Sequence, residues 1–470
     1  MTLVMKFGGT SVGSAQAMRE TAVLIQQAKN AWGQIVVVAS GMGSKPVKVT
    51  DLLLDGANLA VAGDGETFKK NAALMREIHA ETIDDLLDSE VEKERVLEEN
   101  GRFIDRYVAL CQAVYVLGEL SPRALDTIGG MGEQMSAPIL AAHLNQIGHA
   151  AEAIDATELI VTDNNFLNAS PLMMETKDKV SQRIRPLLEQ GIVPVVTGFI
   201  GATKDGVTTT LGRGGSDYTG AILGEALQAA EVWIWTDVDG VMTADPRIVK
   251  GAKSLPTLSY KEVSELAFYG AKVIHPKTMR PCVENDIPLR IKNTFNPDHP
   301  GTVIVPDAVD SNGGIKAVTA IRNLGLITVE GKGMLGIPGI AARTFGAVAK
   351  GGHSVLLISQ ASSEQSICFA APDNTTDDII ASLQKEFAEE LARHDIDKIW
   401  THEPVSIVTV VGAGMRHTPG IAGSLFTSLG QASVNVIAIA QGSSECSISV
   451  VVDDAQTSTA VSEIHRLIAK

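Results

Sequence analysis

LVMKFGGTSVGSA, residues 3–15, runs a short apolar strand into Lys6 and Phe7, a glycine pair, two hydroxyl residues and the start of a helix near Ser14. Glycines let backbone N–H groups close on an anion, and a helix start adds partial positive charge. Lys6, just inside the strand end, adds a full charge. The stretch predicts a phosphate cradle whose spacing differs from the P-loop GxxxxGK[ST]. Further apolar runs follow at 35–40, 151–155, 192–198, 232–237 and 289–292, with helical stretches at 15–30, 134–147 and 216–229 among them. Continuous apolar runs alternating with helices predict a parallel sheet covered on both faces. Residues 65–120 are acidic and predict an all-helical insertion with a solvated face.

The chain has 470 residues, a length that suggests about three domains. A net charge of −16 argues against nucleic acid or an anionic membrane as the main partner. No apolar run reaches the roughly 18 residues of a membrane span, and Lys6 with Gly8–Gly9 interrupts the only signal-peptide candidate. Cys111, Cys282, Cys368 and Cys446 are scattered without CxxC spacing. They read as buried thiols of a cytoplasmic protein, with no metal site.

After about residue 300 the texture changes. TVEGKGMLGIPGIAARTF (328–345) matches TVVGAGMRHTPGIAGSLF (409–426), and LLISQASSEQSI (356–367) matches AIAQGSSECSI (438–448), at one constant offset of 81 residues. Two similar α+β modules are expected. Gly331–Gly336 fits GxGxxG, but the second copy lacks the third glycine and no acidic residue follows at ribose distance, so a dinucleotide site is rejected. Domain bounds are placed at 1–300 for the α/β part, 301–323 for a linker and joining strand, 324–400 for the first module and 401–470 for the second.

Five further segments carry candidate chemistry. VVVASGMG (36–43), followed by Lys48–Val49–Thr50–Asp51, ends a buried strand at the edge where ligands of α/β sheets bind. GGMGEQMS (129–136) puts Glu133 at a helix start, as a ligand or a helix-dipole partner. TLGRGGSDYTG (210–220) surrounds Arg213 with three glycines that expose its fork to a carboxylate or phosphate; Ser216 and Asp217 also suit N-caps. WTDVDGVMTADPRIV (235–249) suggests a nucleotide wall with Arg247 as a contact. In GAKVIHP (270–276) Lys272 could reach phosphates, while His275 reads as structural. HExxH and Cys-pair patterns are absent, and the glycine-flanked charges point to phosphoryl transfer by positioning and charge.

KFGGTSV, the Ser40–Met42 strand end, GMGEQMS, GRGGSDYTGA, TDVDGVMTADPR and GAKVIHP occur in the order and spacing of aspartate kinases, and the repeat resembles their paired ACT domains. The resemblance covers nearly the whole chain. It implies an amino-acid-kinase three-layer αβα sandwich with a mostly parallel sheet, followed by tandem ferredoxin-like α+β ACT domains. It also implies transfer of a phosphoryl group from ATP, with Mg2+, to the β-carboxylate of L-aspartate. Lys6 would neutralise the moving group, lined by Gly8, Gly9 and Ser11, with donors from Ser40 and Gly41; Asp217 belongs to the same catalytic set. Thr50, Glu133, Phe199, Arg213, Gly214, Gly215 and Ser216 match the aspartate site, with Glu133 on the ammonium and Arg213 on a carboxylate. Thr236, Asp237, Met242, Arg247, Lys272 and Val273 match nucleotide contacts. Met242 replaces a usual aromatic, and residues 44–47 look inserted ahead of Thr50.

Gln360 and Gln441 match effector-binding glutamines of aspartokinase–homoserine dehydrogenases, so threonine, or else lysine, is the expected inhibitor. No dehydrogenase follows in this sequence, which reads as a monofunctional kinase, homodimeric or larger. A catalytically silent amino-acid sensor, or a same-fold kinase with another acceptor, are the competing readings.

Overall fold

A computed structural model describes the chain apart from residues 45–46, 272–273, 307–313, 335–336, 361–364, 443 and 469–470. Lys272 and Val273, and most of the expected linker at 310–314, lie outside the described residues. Contacts divide the chain into two compact units: residues 1–241, 254–260 and 274–308, and residues 242–253, 261–273 and 309–470.

The first unit is built on an eight-stranded sheet. Its strands are β1 (Thr2–Phe7), β2 (Gln34–Ala39), β3 (Ala151–Ile154), β4 (Val193–Thr197), β5 (Glu231–Thr236), β6 (Thr257–Ser259), β7 (Leu289–Asn293) and β8 (Thr302–Val305), in the order β6-β8-β7-β5-β1-β2-β4-β3. Every pairing is parallel except β7 with β8. The six predicted strands fall on β1, β2, β3, β4, β5 and β7. Leu3, Val4, Met5 and Phe7 of β1 are all fully buried, as expected of a strand covered on both faces. Helices α1 (Ala15–Trp32), α2 (Val49–Val61), α3 (Thr67–Leu86), α4 (Glu90–Leu117), α5 (Pro122–Gly129), α6 (Met131–Gln146), α7 (Met173–Glu189) and α8 (Gly215–Leu227) follow in chain order. Ser14 caps α1 by accepting from the Ala17 N–H at 3.2 Å.

The expected insertion is the pair α3 and α4. Its outer face carries helix-spaced ion pairs such as Arg95–Glu99 and Arg102–Glu98. Its inner face is not merely appended: Met75, Ile83, Val96, Ile104 and Tyr107 share one core with β1 and β2. A β-carbon on Gly56 of α2 would lie 1.9 Å from the Tyr107 hydroxyl, so only glycine admits that ring.

The second unit centres on a six-stranded antiparallel sheet. Its strands are β9 (Ala317–Glu330), β10 (Leu357–Gln360), β11 (Ser366–Pro372), β12 (Lys398–Val411), β13 (Ala438–Gln441) and β14 (Ser447–Asp453), ordered β10-β11-β9-β12-β14-β13. The repeat offset of 81 carries β9 onto β12, β10 onto β13 and β11 onto β14. Helices α9 (Ile340–Lys350) and α10 (Thr376–Glu386) repeat as α11 (Ile421–Gln431) and α12 (Thr457–Ile468).

The two long strands are shared between modules. Ile327 and Val329 of β9 enter one core with Ile399 of β12; Val318 of β9 enters the other with Val408 and Val410. The sequence reading left residues 317–323 in a joining segment. They instead supply an edge to the second module, because its own residues offer only three strands. Residues 242–253 also join this unit: Ala244 is part of the second module's core, and Thr243 shares a 2.8 Å hydrogen bond with His465 of α12. Gly331 and Gly333 of the rejected GxGxxG have a packing reason: a β-carbon on Gly331 would lie 2.3 Å from the Asp395 carbonyl oxygen, and one on Gly333 2.6 Å from the Asp395 Cα.

Candidate active site

The carboxyl ends of β1, β2, β4 and β5 converge. Gly8 N–H donates to the Trp235 carbonyl (3.0 Å), Ser40 N–H to that of Phe7 (3.2 Å) and Gly198 N–H to that of Ala39 (2.8 Å). These bonds lock the turns after four strands into one rim, the usual binding edge of an open α/β sheet. Beside it lies a cavity of about 680 Å3 whose wall includes Lys6, Thr50, Glu133, Phe199, Arg213 and the start of α8. Nine residues of the sequence reading, from five separate segments, therefore meet: those five with Gly214, Gly215, Ser216 and Asp217.

Lys6 is buried, and its Nζ lies 2.6 Å from Oδ1 of Asp217. Asp217 therefore fixes the lysine's direction. Arg213 is exposed between Gly212 (φ +79°) and Gly214 (φ +72°), and it makes no ion pair among the described residues. Its neighbouring turn is left-handed, a conformation glycine enters without strain. The helix cap is Gly214 itself, so Ser216 and Asp217 are not caps; both sit in the first turn of α8 and face the cavity.

Glu133 lies in the first turn of α6 and is 4% exposed. Burial pushes its carboxyl up to about 7, against the Gly41 N–H, its own N–H, the Lys6 charge and the Ser216 hydroxyl, which all pull it down. Its Oε2 has no hydrogen-bond partner among the described residues. A buried carboxylate oxygen without a donor is costly, and a ligand ammonium would satisfy it. Phe199 adopts φ +72°, its N–H bonded to the Thr219 hydroxyl at 3.0 Å. Gly215 lies directly beneath it: a β-carbon there would be 2.5 Å from the ring. Thr50 follows the antiparallel pair Gly43–Ser44 and Val47–Lys48, which includes Ser44 and Val47 of the residues read as inserted; residues 45–46 lie outside the described ones.

Other predicted residues stand elsewhere. Ser11 is fully buried and its hydroxyl bonds Thr294 at 2.7 Å, so its side chain is spent in the core. Ser40 holds α6 through its carbonyl, which accepts from Ser136 Oγ at 2.6 Å. Thr236 ends β5 and Asp237 follows it, outside the cavity wall. Trp235, which opens the segment read as a nucleotide wall, is buried and stacks on Phe7, with centroids 5.9 Å apart. Met242 and Arg247 belong to the second unit, where Arg247 forks onto Asp245. His275 caps the helix Pro276–Glu284, accepting from the Lys277 N–H at 3.2 Å. Burial first, then the charges of Arg213 and Lys277, hold it below the usual imidazole range.

Lys48 and Thr210, which fall in candidate segments but carry no assigned role, also line the cavity, as do Asp126 and Leu167, which the sequence reading does not single out. Asp126, four residues ahead of the GMGEQMS glycine at 130, is fully buried and accepts from Thr210 Oγ1 at 2.5 Å. Only an acidic residue inside an otherwise apolar helix face could have flagged it.

In the second unit, Gln360 borders a cavity of about 370 Å3 with Met334, Pro338 and Gly339. Gln441 borders one of about 320 Å3 with Met415, Pro419 and Gly420. These are the same positions shifted by 81, so the duplication built two equivalent pockets. Cys368 is only half-buried, unlike the other three thiols. No helix among the described residues is long and apolar enough to cross a membrane.

Fold and site together define an α/β domain with a ligand-sized cavity at its sheet edge, and a duplicated α+β module. Residues 1–293 match the amino acid kinase family, and residues 327–387 and 408–467 each match an ACT domain. A maize chloroplastic bifunctional aspartokinase/homoserine dehydrogenase is 36% identical over 99% of this chain, which spans 50% of that relative. The chain thus covers about half the length of the bifunctional relatives it matches. It covers 81% of Arabidopsis thaliana chloroplastic aspartokinase 3, at 34% identity. E. coli aspartokinase III, solved with aspartate and ADP, superposes with a TM-score of 0.81 at 29% identity over the whole of both chains. The chain belongs to the aspartokinases of the amino acid kinase family.

Proposed function

We propose that this chain is an ATP-dependent aspartate kinase that forms 4-phospho-L-aspartate, the first step towards lysine, threonine and methionine. The observation that carries the reading is one cavity bordered by Lys6, by the unpaired Arg213 and by the unpartnered oxygen of Glu133. The solved E. coli relative with aspartate and ADP supports it. An oxygen of the β-carboxylate attacks the γ-phosphorus and ADP leaves; the acceptor is already an anion, so no strong base is needed. Lys6, with the Gly9 N–H and the start of α8, stabilises the phosphoryl charge, and Gly8 and Gly41 line it with their own N–H groups held by the Trp235 carbonyl and the Glu133 carboxylate. Glu133 takes the ammonium and Arg213 a carboxylate. Ser11 and Ser40 support the cradle's backbone. Thr236, Asp237, Met242, Arg247, Lys272 and Val273 are assigned to the nucleotide. Mg2+ is assigned to the nucleotide's phosphates and water, in line with its reluctance to dehydrate.

Feedback control by threonine, with lysine as the second choice, is assigned to the pockets at Gln441 and Gln360. E. coli aspartokinase III has been solved with lysine and aspartate, which supports an amino-acid effector. The exposed Ile358 and Ile439 on the outer strands β10 and β13 suit pairing with a second copy. Four free thiols suit a cytoplasmic setting.

Coupled ADP release with L-aspartate, with hydroxylamine trapping of the acyl phosphate, tests the reading. Folded chain with Mg-ATP that releases no ADP above background would favour the silent sensor. Turnover with glutamate, uridylate or carbamate instead would reassign the acceptor.

A further inference from the structure

Two of the nine non-glycine residues with positive φ among the described residues, Leu167 (φ 69°) and Phe199 (φ 72°), line the same cavity. Leucine has no intrinsic preference for that region, so something must hold it there. The loop Asp163–Ser170 is closed on itself by the Asp163 N–H to the Ser170 carbonyl (3.0 Å) and by the Asp163 carboxylate, which takes the Asn165 and Ser170 N–H groups. At its tip the Leu167 N–H donates to both carboxylate oxygens of Asp126, at 3.1 and 3.0 Å. Asp126 also takes the Thr210 hydroxyl, and Thr210 O takes the Ala169 N–H at 2.9 Å. On the far side Asn168 Oδ1 accepts from Lys277 Nζ at 2.6 Å. Two chain segments are thus tied to one buried carboxylate, and a third, through Lys277, to the loop it holds.

The tie bears on a particular end of the cavity. A β-carbon on Gly212 would lie 2.8 Å from Asn168 Oδ1 and 3.2 Å from Leu167 O, so the loop presses on the residue before Arg213. Arg213 is the group assigned above to an acceptor carboxylate. Leu167 is 43% exposed, an apolar side chain that contributes little to any core but borders the cavity.

We propose that Asp126 is a positioning residue that holds Leu167 as a wall at the Arg213 end of the cavity, and that this wall limits the length of the amino-acid dicarboxylate accepted. The inference rests on the assignment of this cavity to a dicarboxylic amino acid. A carboxylate one methylene farther out would meet Leu167, and one methylene in a confined site is worth roughly 10–200-fold in discrimination.

The test is calorimetric titration of the full chain with L-aspartate and with L-glutamate, alongside steady-state rates and KM for ATP. Wild type is expected to bind aspartate at least tenfold tighter. Leu167→Gly removes the wall and the backbone strain together. It should lower that ratio about tenfold while its melting temperature holds or rises, a combination that loss of structure would not give. Asp126→Asn and Thr210→Val should lower the ratio in the same direction and raise KM for aspartate severalfold with KM for ATP unchanged. If Asp126→Asn does not fold, Leu167→Gly and Thr210→Val carry the test. Wild type binding both acids alike, or Leu167→Gly keeping the full ratio, overturns the proposal. A chain that discriminates in binding but releases no ADP keeps it and refutes the kinase reading.

Discussion

Glu133 is the residue on which pH acts. Its carboxyl lies near 7 when the cavity is empty, and only the carboxylate attracts an ammonium. Apparent KM for aspartate should therefore fall as pH rises from about 6 to 8, and level off above. The same raised value means the empty protein is more stable below the ordinary carboxyl range and loses that stability as pH rises through 7. Glu133→Gln should abolish the pH dependence of KM, raise KM about a hundredfold, and raise the melting temperature at pH 8; a flat wild-type profile would refute the assignment. Lys6 and Arg213 should separate in kinetics. Lys6→Ala removes charge that matters most in the transition state and should lower kcat by about 100-fold or more. Arg213→Ala should chiefly raise KM for aspartate, about tenfold or more. Rates over both substrate concentrations decide, and the reverse pattern exchanges their roles. Residues of this kind were legible because charge flanked by glycine is rare and unexplained by packing. Asp126 and Leu167 were not, because their significance is a hydrogen bond across 41 positions.

At the scale of elements, strands were read with little error because a buried parallel strand must be apolar throughout, and that pattern is local. β6 and β8 were missed: Thr257–Ser259 is only three residues long, and β8 alternates buried with half-buried positions. The contact of α8 with the sheet depends on glycine spacing that periodicity does not weigh. A β-carbon on Gly224 would lie 2.5 Å from Val232 Cγ2, and valine has little rotamer freedom to yield. Gly224→Ala gains helix propensity of about 1 kcal/mol yet overpacks α8 against β5 at roughly 1–3 kcal/mol. A net loss is expected, measured as a lower urea midpoint with unchanged slope. A stabilised variant would mean the helix shifts freely. Since α8 also carries Gly214–Asp217, turnover should fall with it.

The duplication was legible at the scale of the whole chain because its offset never drifts, but the exchange of strands between the copies was not. Repetition reveals what is alike, whereas residues 317–323 serve the module that begins more than 80 positions later. Val318 lies in that module's core, with Ala244 and Met415, and Lys316 pairs with the fully buried Glu262 at 3.1 Å. Glu262 also accepts from the Ala413 N–H at 2.7 Å, and Glu265 from the Ser447 hydroxyl at 2.8 Å. The second unit is therefore discontinuous in sequence, and cutting at the visible repeat boundary should break it. A fragment of residues 324–470 lacks a whole edge of the second module, and burial of Val318 alone is worth about 1.5–3 kcal/mol. A fragment of residues 314–470 restores that edge but still lacks 242–253 and 261–273. Circular dichroism with urea should find the shorter fragment without a cooperative second-module transition. The longer one should unfold cooperatively at a lower midpoint than the same module does within the full chain. Equal midpoints for the two fragments would show that the shared strand contributes nothing, and that each repeat closes on its own residues.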